Sequence, residues 1–201
     1  MMSPMDETTL DKLAIRETIE SWAIWRDSGD FERLRTCFHD DGRMTATWFA
    51  GPADEFVARA RASFAKGSMS SHVLGATSID VSGARAVSQT RMTITSREAI
   101  EGALYDFTCQ GRFYDLFEKR NGRWAIVDRR LAYEKDRADP VFADETHAFD
   151  RKLLERFPIG YRFLAYAQTK RGLDVYRDLP GLRGPEVEAL YARGKAWLAG
   201  I

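Results

Sequence analysis

The chain has 201 residues, of which 44% are hydrophobic and 12% aromatic, ample material for a packed core. Thirty basic and thirty acidic residues cancel to a formal net charge of zero, which excludes the global positive field that gathers nucleic acid or anionic membrane. Cys37 and Cys109 stand isolated, without the spacing of a zinc or redox motif, and two cysteines build no disulfide framework, so a reducing cytoplasmic setting is expected. The opening MMSPMDETTL lacks the basic and apolar regions of a signal peptide, and no apolar run approaches the ~18 residues of a membrane helix. No membrane and no nucleic-acid partner is expected.

Residues 8–27 read as a helix. Ile15, Ile19 and Trp22 recur at helical spacing, and Leu13, Ile24 and Asp27 form a second flank, which predicts burial on both sides. Ser28-Gly29-Asp30 stops this helix before Phe31, Leu34 and Phe38 begin a short second one. After the Asp40-Asp41-Gly42 turn, Met44, Ala46 and Trp48 alternate with Thr45 and Thr47 as in a strand. Gly51-Pro52 then opens a helix over about 53–66 with Phe56, Ala60 and Phe64 as its buried stripe. From Ser70 the text turns to long β segments, about 71–81, 84–97, 103–119 and 123–133, joined at Ser82-Gly83, Glu101-Gly102 and Asn121-Gly122. This order predicts an α+β domain in which a curved antiparallel sheet carries helices on one face. No repeat, low-complexity tract or Gly-rich phosphate loop interrupts it.

Beyond Asp139-Pro140 helical text returns. Phe149, Leu153 and Phe157 make one stripe before Pro158, and Val187, Leu190, Tyr191, Gly194, Trp197 and Leu198 make another after Pro185, a good first-turn proline. Two or three amphipathic helices over 139–201 are therefore read as an extension of a domain spanning 8–138, packing on that domain, on another subunit, or as a lid over the open end of the sheet.

Of the three histidines, His39 sits beside the Asp40-Asp41 turn and His147 in a charged segment, whereas His72 enters a strand. Asp27 closes the first helix, and the two together suggest a general base with its orienter. The plainer readings are a capping carboxylate for Asp27 and a hydrogen-bonded core histidine for His72.

The segments AIRETIESWAIWRDSGDFERLRTCFHDDGRM, GPADEFV, SSHVLGAT and FYDLFEKRNGRWAIVDRR, in this order and spacing, resemble the SnoaL-like branch of the nuclear-transport-factor-2-like superfamily over roughly 8–135. That branch includes scytalone dehydratase and hexachlorocyclohexane dehydrochlorinase. The resemblance implies a cone-shaped barrel, a strongly bent antiparallel or mixed sheet wrapped around the N-terminal helices and enclosing an apolar pocket. It also implies a catalytic dyad at Asp27 and His72, and an arginine at Arg129 that stabilises developing negative charge. The second catalytic histidine of the dehydratase pattern is absent, its nearest positions being Ser96 and Arg97, so the same substrate is not implied.

A neutral histidine whose tautomer is held by a carboxylate can take a proton from carbon or oxygen, and such chemistry requires no metal or organic cofactor. Candidate walls for a small hydrophobic or cyclic ligand are Trp22, Trp25, Trp48, Phe49, Phe56, Phe64, Tyr105, Phe107, Phe113 and Tyr114. Alternation puts Tyr105, Phe107, Cys109 and Phe113 on one strand face and Thr108, Gln110, Arg112 and Tyr114 on the other, so only one set lines the cone. Arg129 alternates with Val127 and Leu131 on an apolar face, where it needs an anionic partner or ligand. The functional expectation is a cofactor-independent lyase or isomerase, with a non-catalytic ligand-binding or assembly module as the alternative. A sheet face uncovered by its own helices suggests a homo-oligomer, trimer or dimer.

Overall fold

The computed structural model describes residues 6–144 and 148–201. His147 therefore lies outside the described residues. The first helix, α1 (Glu7–Ser28), starts where the Asp6 carboxylate accepts a hydrogen bond from the Thr9 amide at 2.7 Å. It ends at Gly29, whose φ of 80° closes the last turn in the left-handed region that favours glycine. Only one stripe of α1 is buried: Ile15, Ile19, Trp22, Ala23 and Arg26. The expected second apolar flank does not exist, since Leu13 and Ile24 are 50% and 66% exposed; the helix lies on the sheet with its other side open. A short α2 (Phe31–Thr36) follows, capped by Asp30.

The sheet has six strands in the order β2-β1-β6-β5-β4-β3. They are β1 (Phe38–Ala46), β2 (Phe49–Pro52), β3 (Met69–Ser82), β4 (Arg85–Ile100), β5 (Ala103–Arg120) and β6 (Arg123–Pro140), with α3 (Ala53–Ala65) between β2 and β3. The hairpins β3-β4-β5-β6 form an antiparallel meander, and β1 joins β6 in parallel, so the sheet is mixed. β2 is the one strand not anticipated, a four-residue return from β1. Phe64 on α3 is half-exposed rather than buried, because it covers Gly29 and the edge of Phe31 at the rim.

Two register shifts against β5 leave an extra residue on β6 and help the sheet curl. Leu116 pairs with Asp128 and Phe117 with Ile126, so Val127 is the bulged residue. Consequently Ile126, not Val127, joins Leu131 and Tyr133 in the main core. The second shift lies beside Gly111, where a Cβ would stand 2.2 Å from the Ala132 carbonyl oxygen.

One sheet face, with Cys109, Phe113, Phe117, Leu131 and Tyr133, packs on Ile15, Ile19 and Trp22 of α1 and Phe56 of α3. After β6 come α4 (Arg151–Leu154), α5 (Arg162–Lys170) and α6 (Pro185–Ala199). The expected stripe over Phe149, Leu153 and Phe157 shrinks to the single turn of α4, and α5 was not anticipated. Tyr105, Phe107, Tyr166 and Ala167 form a separate cluster where α5 covers the far end of the same face. α6 packs on the opposite face, with Leu190 against Val87, Tyr114 and Leu116. Gly194 permits this approach, since a Cβ there would lie 1.8 Å from the Tyr114 hydroxyl. Among the described residues no helix is long and apolar enough to cross a membrane.

Candidate active site

A cavity of about 600 Å³ opens between α1, α3, the sheet and the end of α5. Of the expected wall residues, Trp22, Trp48, Phe56 and Phe113 line it. Trp25, Phe49, Phe64, Tyr105, Phe107 and Tyr114 do not, for different reasons. Phe49 packs behind Trp48 and Phe56, with ring centroids 5.9 and 5.8 Å away. Trp25 is half-buried at the outer part of α1 under the Arg33 guanidinium. Phe107 and Tyr105 share the inward face of β5 but lie under α5. Tyr114, one residue from Phe113, points to the other face and stacks near Tyr191 of α6.

Asp27 and His72 meet across 45 residues of sequence. Asp27 Oδ1 lies 2.7 Å from His72 Nδ1, and Oδ2 accepts the His72 backbone N–H at 2.5 Å. Both carboxylate oxygens therefore hold one residue, the ring and its backbone at once. Because an ionised carboxylate only accepts, Nδ1 of the neutral ring must carry the proton, and Nε2 keeps its lone pair. His72 lines the cavity, its ring centroid 5.2 Å from that of Trp22 in a T-shaped contact and 6.2 Å from that of Phe113. The local reason for the meeting is simple. Asp27 stands one turn beyond the buried Ala23, and β3 packs along α1.

Arg129 is entirely buried, but it does not reach the cavity. Its guanidinium donates to both Asp115 oxygens, at 2.7 and 2.8 Å, from the directly facing position on β5. Its Cζ lies over two aromatic rings, 4.1 Å from the centroid of Phe113 and 4.5 Å from that of Trp22. Those two rings stand between Arg129 and the space where a ligand fits. The expectation that Arg129 touches developing charge is thus corrected: it finds its anionic partner in Asp115 and supports the cavity wall from behind.

His39 is a structural histidine, its Nε2 2.8 Å from the Glu118 carbonyl oxygen, remote from the cavity. Burial pushes the Cys37 thiol up to about 12, and Cys109 well above its usual range, so both are unreactive core residues. No cluster suited to hold a metal ion occurs among the described residues.

Several cavity residues escaped the sequence reading. Arg26 lies four residues after Trp22 on the buried stripe, a charged residue on an apolar face, which was the available signal. Ser96 and Arg97, named in the sequence only as the positions nearest to the absent second histidine, both line the cavity. So do Gln168 of α5 and Tyr133, whose hydroxyl accepts a hydrogen bond from the Thr47 amide. At the rim, burial raises the Glu98 carboxyl above its usual range, opposed by Arg171 at 3.1 Å.

A family model for the SnoaL-like domain matches residues 7–130. Pea pathogenicity protein 2 of Fusarium vanettenii is 34% identical over 206 residues, covering 97% of this chain and 88% of that protein. Among solved structures, a candidate scytalone dehydratase from Novosphingobium aromaticivorans superposes with a TM-score of 0.56 at 18% identity, covering 71% of this chain and 91% of that one. A type 2 hexachlorocyclohexane dehydrochlorinase gives a TM-score of 0.54 at 14% identity, covering 72% and 96%. At these identities the structural likeness establishes the fold.

Proposed function

Since the chain belongs to the SnoaL-like family and has the nuclear-transport-factor-2-like fold, we propose that it is a lyase or isomerase that removes a proton from a small, largely apolar cyclic molecule. The observation that carries this reading is the two-point hold of Asp27 on His72 at the wall of an aromatic cavity. A ligand C–H proton passes to His72 Nε2, and the electron pair it leaves behind forms a new C=C bond as a leaving group departs, or rests in an enolate-like anion protonated at another atom. The imidazolium formed faces the Asp27 carboxylate, a charge-assisted contact that lowers the cost of holding the proton. That proton then returns to the leaving group or to carbon. The cycle is complete in protons and electron pairs without an added cofactor.

The names carried by the two solved structures, a dehydratase and a dehydrochlorinase, describe eliminations of this kind in those proteins and support the lyase branch. A module that only binds or assembles has no need of a carboxylate 2.7 Å from a ring nitrogen. The test is solvent deuterium exchange into cyclic ketones, beginning with 1-tetralone, read by mass spectrometry. His72→Ala should remove catalysed exchange while the melting curve stays cooperative. Undiminished exchange in that variant would refute the assignment.

A further inference from the structure

Arg26 is only 8% exposed, lines the cavity, and has no hydrogen bond or ion pair with any of the described residues. The guanidinium of a largely buried arginine is ordinarily paired, whereas the Arg26 nitrogens have no partner and retain some accessible surface. Here burial lowers its pKa, and the neighbouring Asp27 charge opposes that shift, but both Asp27 oxygens are already engaged by His72. The other cations on the cavity wall are differently placed. Arg97 is held by Asp106 through two 2.7 Å hydrogen bonds, Arg171 is paired with Glu98, and Arg59 and Lys66 are exposed. Buried polar atoms of cavity residues that lack a hydrogen-bond partner are Trp22 Nε1, Ser96 Oγ, Glu98 Oε2 and Gln168 Oε1. Trp22 and Arg26 stand one helical turn apart on the same stripe, and the Trp22 ring borders His72, so the guanidinium, the indole N–H and the base share one wall.

We propose that Arg26 is a further ligand-binding residue that receives a negatively charged oxygen, so that the cavity selects small cyclic molecules bearing a carboxylate or able to form an enolate or phenolate. This rests on the reading of the cavity as a substrate site. For an enolisable ligand the carbonyl π pair moves onto oxygen as His72 takes the α-proton, and that oxygen is the atom Arg26 meets. The charge pair would form largely out of water, where such hydrogen bonds are strong.

Isothermal titration with 2-naphthoate and its neutral isostere 2-naphthamide tests the proposal on the intact chain. The parent should bind naphthoate at least about tenfold more tightly than the amide. Arg26→Gln should abolish that preference through loss of naphthoate affinity alone, and Arg26→Lys should restore part of it. His72→Ala should keep the preference while losing deuterium exchange, so failure of the base and failure of Arg26 are read separately. Equal affinities in the parent would overturn the proposal, as would a preference that survives Arg26→Gln. An Arg26→Gln chain that melts well below the parent or does not fold would likewise overturn it, by assigning Arg26 to the scaffold.

Discussion

Replacing Asp115 by Ala strands the Arg129 guanidinium inside the protein. Both side chains of the pair have no exposure, and they face one another across β5 and β6 with two hydrogen bonds at 2.7 and 2.8 Å. Removing one member of a buried ion pair costs about 3–5 kcal/mol, mostly the penalty of the charge left behind. For a chain of this size each kcal/mol moves the melting temperature by about 2–4 °C, so a fall of about 6–20 °C is expected. Chemical denaturation followed by tryptophan fluorescence would measure the free energy directly, with an unchanged m-value indicating that the native state alone is altered. The double variant Asp115→Leu, Arg129→Met removes both charges at similar volume and should recover most of the loss. The recovery is incomplete because the guanidinium's contacts with Trp22 and Phe113 go too, at roughly 0.5–2 kcal/mol each. A single variant that costs less than about 1 kcal/mol would mean that Arg129 is not left as an uncompensated buried charge. So would a double variant no more stable than the single one.

Two further predictions concern the C-terminal helices. Asp136 accepts the Leu164 amide at the start of α5, and burial raises its carboxyl to about 6. A carboxyl whose folded pKa lies above its unfolded value is penalised when ionised, so the contribution of Asp136 to stability should be greatest below about pH 4 and be lost between about pH 4 and 6, by on the order of 3 kcal/mol. Denaturation of Asp136→Asn across this window should show a flatter profile than the parent, and identical profiles would contradict the assignment. Gly194→Ala drives a methyl into the Tyr114 hydroxyl and should cost about 1–3 kcal/mol in thermal melts, since neither the phenol nor the helix backbone yields cheaply. A neutral substitution would mean that α6 does not seat on the sheet as described.

The parts of the fold that were legible in the sequence are those where local pattern and tertiary environment agree. The β3 to β6 meander is announced by turns such as Asn121-Gly122, and Asp27 and His72 could be placed because a helix end and a strand start are readable boundaries. The failures have physical causes. α5 is nine residues long and buries five in a row, Leu164 to Gln168, a run too short for periodicity to separate a helix from a buried strand. The last stretch of β6, Glu134 to Asp139, is polar and becomes a strand only because β5 offers it a partner. Val127 could not be read as a bulge, and with it the true company of Arg129 was hidden. Phe113 and Tyr114 are equivalent in composition, and only the placement of α1 and α6 decides which of them meets the cavity.

The protonation of the His72 ring decides whether the residue can act as a base. Nitrogen-15 chemical shifts of the histidine side chains, recorded across pH on the parent and on Asp27→Asn, report which ring nitrogen carries the proton. Nδ1–H with an unprotonated Nε2 is expected in the neutral parent, because an ionised Asp27 can only accept. In Asp27→Asn an amide N–H would donate to Nδ1 and move the proton to Nε2, with catalysed exchange falling about 10²–10⁴-fold. A neutral parent ring protonated at Nε2, or a tautomer unchanged by Asp27→Asn, would contradict the dyad.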